Sequence, residues 1–143
     1  MNKTPFLAAL VLASLSTAAF AVNAGPAEIT DTLRSAGYAE VRELEYDDGL
    51  WEAEVRRANG LWGEVAVDPA SGEVFDALSS RPLIELPQVL ASLERAGYKQ
   101  VHDVDRDGAL WDADAYDAQG QRVELRISGY DGRVLNVRHD NDD

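Results

Sequence analysis

Apolar residues recur along the chain with two different periods. Over Ile29, Leu33 and Ala36, and again over Val89, Leu90, Leu93 and Ala96, the spacing is three to four, which predicts a helix with one buried stripe. Each stripe stops at a glycine, Gly37 or Gly97, followed by Tyr38 or Tyr98. Glycine accepts the left-handed conformation just past a helix without a Cβ clash, so the helices should end there, with the tyrosine rings folded back on the last turn. Beyond that point the period becomes two. Strands are expected over residues 41–46, 50–57, 61–67 and 73–76, separated by Asp48-Gly49, Asn59-Gly60 and the run Asp68-Pro69-Ala70-Ser71-Gly72. Short turns rich in Gly, Asn and Asp favour an antiparallel meander.

The pattern is then written a second time. Ala36-Gly37-Tyr38 returns as Ala96-Gly97-Tyr98, an offset of 60 that holds without a gap through Leu33/Leu93, Val41/Val101, Leu50-Trp51/Leu110-Trp111, Glu64/Glu124 and Val74/Val134. The turns Asp107-Gly108, Gln119-Gly120 and Asp131-Gly132 match those of the first copy. An ungapped match of this length marks a tandem duplication, too short to be a solenoid. The expected fold is α+β: two tandem α-β-β-β-β repeats, each a helix packed on a four-stranded antiparallel sheet. Their bounds are 25–76 and 86–138, with a linker at 77–85 and an acidic tail at 139–143. Units this small bury too little surface to be secure alone, so the copies should pack together or continue one sheet.

Residues 1–24 read differently. A short polar start with Lys3, an apolar run from Phe6 to Ala21 and a small-residue end have the layout of a secretory signal, with Val22-Asn23-Ala24 favoured over Ala19-Phe20-Ala21 as the cleavage site. An uncleaved anchor is the competing reading, disfavoured by the many Ala, Ser and Thr in the run. The expected location is periplasmic or secreted, with no membrane insertion after cleavage.

Alternation assigns the strand faces. Leu44, Trp51, Ala53, Val55, Gly63, Val65 and Val67 share a side that can cover the helix, as do Val104, Trp111, Ala113, Ala115, Val123, Leu125 and Ile127. The opposite side carries Glu43, Glu45, Glu52, Glu54, Arg56, Trp62 and Glu64, and in the second copy Asp103, Asp105, Asp112, Asp114, Tyr116, Arg122, Glu124 and Arg126. With 26 Asp+Glu against 13 Lys+Arg, the formal charge is -13. Such a chain repels phosphate backbones, so nucleic acid is excluded as a partner. The absence of cysteine removes disulfides, thiolate metal sites and Cys nucleophiles.

A helix ending in Ala36-Gly37-Tyr38, a strand Val41–Glu45, the turn Asp48-Gly49, a strand Trp51–Val55 and the closing segment Asp68–Val74 together resemble the PepSY family. The second copy repeats the resemblance at Ala96–Tyr98, Val101–Asp105, Asp107-Gly108, Trp111–Ala115 and Asp131–Val134. It implies a small α+β module of secreted and membrane-associated bacterial proteins, including protease propeptides, that binds or inhibits a partner. The tandem arrangement also resembles the architecture of β-lactamase inhibitory protein, which uses an exposed sheet face for contact. The disulfides of that protein have no counterpart here.

The candidate chemistry is correspondingly one of binding. Trp62 and Tyr116 fall on the polar face, where a large aromatic outside the core can anchor a contact. The partner-binding set is therefore Trp62, Tyr116, Arg56 and Arg122, surrounded by Glu52, Glu54, Asp112 and Asp114. The expected partner is a protein, a protease or other extracytoplasmic enzyme. Asp103, Asp105 and Asp107 followed by Gly108 also match part of a calcium-loop pattern, which supplies an alternative cation-binding or sensing role. The competing reading treats these acids as solvated strand positions. His102 and His139 stand near no Gly-x-Ser-x-Gly turn, so no catalytic set and no cofactor is expected.

Overall fold

A computed structural model describes residues 24–140, so the expected signal, apart from Ala24, lies outside the described residues, as does the end of the acidic tail. Helix α1 (Pro26–Ser35) precedes strands β1 (Glu40–Asp47), β2 (Leu50–Arg56), β3 (Trp62–Val67) and β4 (Val74–Phe75). Helix α2 (Leu86–Arg95) precedes β5 (Lys99–Asp107), β6 (Leu110–Tyr116), β7 (Arg122–Ser128) and β8 (Val134–His139). The strands form two separate antiparallel sheets, ordered β1-β2-β3-β4 and β5-β6-β7-β8. The fold is thus α+β, in two tandem α-β4 repeats. No helix among the described residues is long and apolar enough to cross a membrane.

Local chemistry explains the helix ends. Tyr38 N donates to Leu33 O and Gly37 N to Arg34 O, and the same pair of bonds recurs at Tyr98 and Gly97. This double bond pattern needs positive φ at the glycine, which both supply at 101° and 93°. The first hairpin turns through Asp48 and Gly49, both at positive φ. The second departs from the expected Asp107-Gly108: Asp107 still belongs to β5, and the turn is Gly108-Ala109, with positive φ at Gly108. One copy thus places both central residues in the left-handed region and the other only the first, which is why the glycine shifts by one place.

Each sheet buries one face against its helix. Ile29 and Leu33 pack on Ala53, Val55, Val65 and Val67, while Val89 and Leu93 pack on Trp111, Ala113, Ala115, Val123, Leu125 and Ile127. A third core lies between the repeats and takes its residues from the opposite faces: Leu50, Ala66 and Phe75 from the first, Ala109, Leu110 and Tyr130 from the second. The copies therefore pack together and do not share a sheet.

The connector is fastened to this third core. Ile84 N donates to Gly129 O, and Gly129 N donates to Ala109 O at 2.8 Å. A Cβ on Gly129 would stand 2.3 Å from that same carbonyl oxygen, which is backbone and cannot swing away. Gly129→Ala should lower stability by about 1–3 kcal/mol, the range for forcing an extra methyl into a packed site. Thermal melts of the two proteins check this, and equal midpoints would count against it.

Candidate functional site

The polar faces hold more than simple alternation predicts. Arg42 lies opposite Glu54, but the next pair is Glu45 opposite Glu52, so β1 carries one extra residue, Glu43, at φ 52°. Strand β5 repeats the irregularity: His102 faces Asp114, Asp105 faces Asp112, and Asp103 stands between at φ 47°. Such a bulge re-aims side chains. It adds Arg42 and His102 to the acidic faces, which simple alternation does not do. A signal was present: the inward residues Val41 and Leu44, and Val101 and Val104, stand three apart instead of two.

In the first repeat Trp62 is 36% exposed at the start of β3, opposite Arg56. The Arg42 guanidinium lies 3.8 Å above its ring. Arg42 also donates two bonds to Glu54, from Nε at 3.0 Å and Nη2 at 2.9 Å. This fork holds Glu54 below the usual carboxylate range and raises Arg42. Arg56 pairs with Glu40 at 2.9 Å. Glu43, Glu45 and Glu64 make no ion pair among the described residues, and they line a cleft of about 260 Å³. Its apolar wall is formed by Ala66 and Phe75, together with Ala109 and Leu110 from the hairpin tip of the second repeat.

The second repeat arranges the same positions differently. Tyr116 is half-buried, and Arg122 stands 3.4 Å from both Asp114 and Asp140. Arg126, only 7% exposed, reaches Glu52 at 2.9 Å, Asp107 at 3.2 Å and Asp112 at 3.1 Å, the last without the alignment of a hydrogen bond. Burial pushes Asp112 up from the usual carboxylate range, against the pull of Arg126. Glu52 and Asp112, expected to surround an open contact surface, thus help to hold the repeats together. The reason is the turn-proximal end of each sheet, where Leu50 and Leu110 must be covered and the other repeat covers them.

The calcium-loop residues do not converge. Asp103 and Asp107 are four residues apart on one extended strand, a span of about 13 Å, and Asp107 is taken by Arg126. Among the described residues, a group of three ligand atoms within 4.8 Å of one another occurs instead at His102, Asp103 and Asp114. The other histidine, His139, lies 3.6 Å from Asp117.

A second polar cluster went unforeseen. Asp76, 5% exposed, accepts from Arg57 Nη2 at 2.8 Å, Tyr38 Oη at 2.7 Å and Leu78 N at 2.9 Å. Tyr130 of the second repeat accepts from Asp76 N and donates to Asp76 O, both at 2.9 Å. No periodicity marks such a residue, because it sits where strand gives way to connector.

No curated protein matches the chain. Over residues 5–77 and 84–138, both repeats, it matches the family described as peptidase propeptide and YPEB domain, PepSY_2, and with well over half its length covered it belongs to that family.

Proposed function

We propose that the chain is a secreted, non-enzymatic interaction or inhibitory module that docks a protein partner on the open part of the first repeat's acidic face. PepSY modules are generally non-catalytic and typically extracellular or periplasmic, which supports this class of role. The observation that carries it is Trp62, one third exposed, braced by Arg42 and next to a cleft whose Glu43, Glu45 and Glu64 make no ion pair among the described residues. A braced ring loses little freedom on binding, and aromatic anchors supply much of the energy of protein contacts. Carboxylates outside any ion pair would speed and orient the approach of a basic surface. Glu54, Arg56, Arg122 and Asp114 are already paired within the chain, so their part is to hold the face in shape. Tyr116 extends the same role to the second repeat. The partner in this reading is a protease or other extracytoplasmic enzyme.

Trp62→Ala should leave the thermal midpoint within a few degrees of wild type, because the ring covers no core residue. The same variant should retain at least about tenfold less partner from a periplasmic extract, the usual scale for an anchor worth more than 1 kcal/mol. The capture should also weaken as salt rises. Capture that is indifferent to Trp62, or a large fall in midpoint, would sink this site.

A further inference from the structure

We propose that the second repeat binds a zinc-type divalent ion through His102 Nε2 and the carboxylates of Asp103 and Asp114. The three are brought together by the bulge in β5. In a regular strand the neighbours His102 and Asp103 would point to opposite faces. Here His102 faces Asp114 across the ladder, and the left-handed turn at Asp103 returns its carboxylate toward the imidazole. Nε2 stands 4.0 Å from Asp103 Oδ2 and 4.0 Å from Asp114 Oδ2.

The histidine is also presented as a ligand. Its Nδ1 lies 2.7 Å from Gln100 O. A carbonyl can only accept, so Nδ1 carries a proton, and in the neutral ring Nε2, which faces the two carboxylates, is the nitrogen left to bind a metal. Metal-bound histidines characteristically donate their other ring N–H to such an acceptor, which fixes tautomer and ring orientation. Ligand bonds of about 2.0–2.2 Å at a tetrahedral angle put donor atoms about 3.4 Å apart. Closing from 4.0 Å is a small adjustment of the exposed Asp103 carboxylate and the half-buried Asp114 carboxylate, and it leaves the fourth position to water. An imidazole with two carboxylates suits zinc better than calcium, which prefers oxygen alone.

The first repeat supplies an independent reason. At the matched positions, the carboxylate of Glu54 is met by a cation built into the chain, the Arg42 guanidinium. In the second repeat that arginine is replaced by His102, a residue whose neutral form coordinates metals. The nearest fixed cation, Arg122, stands 3.4 Å from Asp114 but also reaches Asp140. It can stay on Asp140 while Asp114 turns to a metal.

The chain has two histidines, so long-range proton–nitrogen spectra of the whole protein report both imidazoles separately during a titration with zinc chloride. One equivalent should shift His102 Nε2 while Nδ1 stays protonated, and leave His139 unmoved. In parallel calorimetry, His102→Gln should weaken zinc binding by at least about 100-fold, the upper end of what losing even a supporting residue costs. His139→Gln should change nothing. His102→Arg, which installs the first repeat's residue, should abolish binding while keeping the wild-type melting temperature, so lost binding is separated from lost folding. Shifts confined to His139, or zinc affinity within about threefold of wild type in both His102 variants, overturn the proposal. Calcium binding as tightly as zinc without moving His102 overturns it too.

Discussion

Truncating Phe75 to alanine is expected to lower the free energy of unfolding by about 3–5 kcal/mol, the range for deleting a buried aromatic ring. The ring is 2% exposed and stacks on Tyr130 with centroids 5.6 Å apart and planes 17° from parallel. Phe75 belongs to the first repeat and Tyr130 to the second, so the cavity opens between the halves. A small domain has about 5–15 kcal/mol of stability in all, and repeats of this size have little of their own. Urea unfolding should therefore show a midpoint moved far toward zero denaturant. Phe75→Leu, which keeps most of the apolar volume, should lose much less. Equal midpoints for Phe75→Ala and wild type would mean that the third core does not hold the molecule together.

Asp76→Ala should be nearly as damaging, by up to about 3–5 kcal/mol, because it leaves the largely covered Arg57 guanidinium beside no anion. Arg57 exposes only 14% of its side chain, and the Tyr38 hydroxyl loses its acceptor at the same time. Burial by itself would raise the Asp76 carboxyl, but bonds from Arg57, Tyr38 and Leu78 N outweigh it and hold the group below its ordinary value. A carboxyl lowered in the folded state stabilises above its unfolded pKa of about 3.9 and loses that contribution as pH falls through the folded value. Wild type should therefore fall toward Asp76→Asn below about pH 4, with the gap between their melting temperatures widest near neutrality. Asp112 works in the opposite sense, since burial raises it and protonation on acidification favours the folded state. A gap between wild type and Asp76→Asn that stays constant with pH would remove the ionised Asp76 from the account.

How much of this could be read from residues alone depended on whether the cause was local. Helix stops at Gly37 and Gly97, the four strands per copy and the helix-covered faces follow from periodicity and turn chemistry, and all are present. Alternation describes one sheet at a time, so it marks the second face as polar without showing which part of it another repeat covers. Leu50 and Leu110 are the apolar residues that break that face's acidic pattern, and they mark the ground occupied by the other repeat. Arg126 shows the same limit. It reads as one more exposed strand arginine, yet Glu52 from 74 residues away makes it an inter-repeat clasp. Trp62 was legible because its exposure depends only on strand register, whereas the stacking of Arg42 required the bulge.

The contact between the repeats has a consequence for symmetry. The tip Asp107–Leu110 leans over the first sheet, and at the matching tip Asp48 pairs with Arg138 while Gly49 lies against the Asn136 side chain of the second. This reciprocity is that of an isologous C2 dimer, in which patch i meets patch j and j meets i. A true homodimer must place the same residue at both ends of its axis. One chain carrying both halves has no such restriction. It can carry Asp76 where the other copy has Asn136, Ala66 where it has Arg126 and Arg42 where it has His102, so the two polar faces differ while the shared interface stays closed.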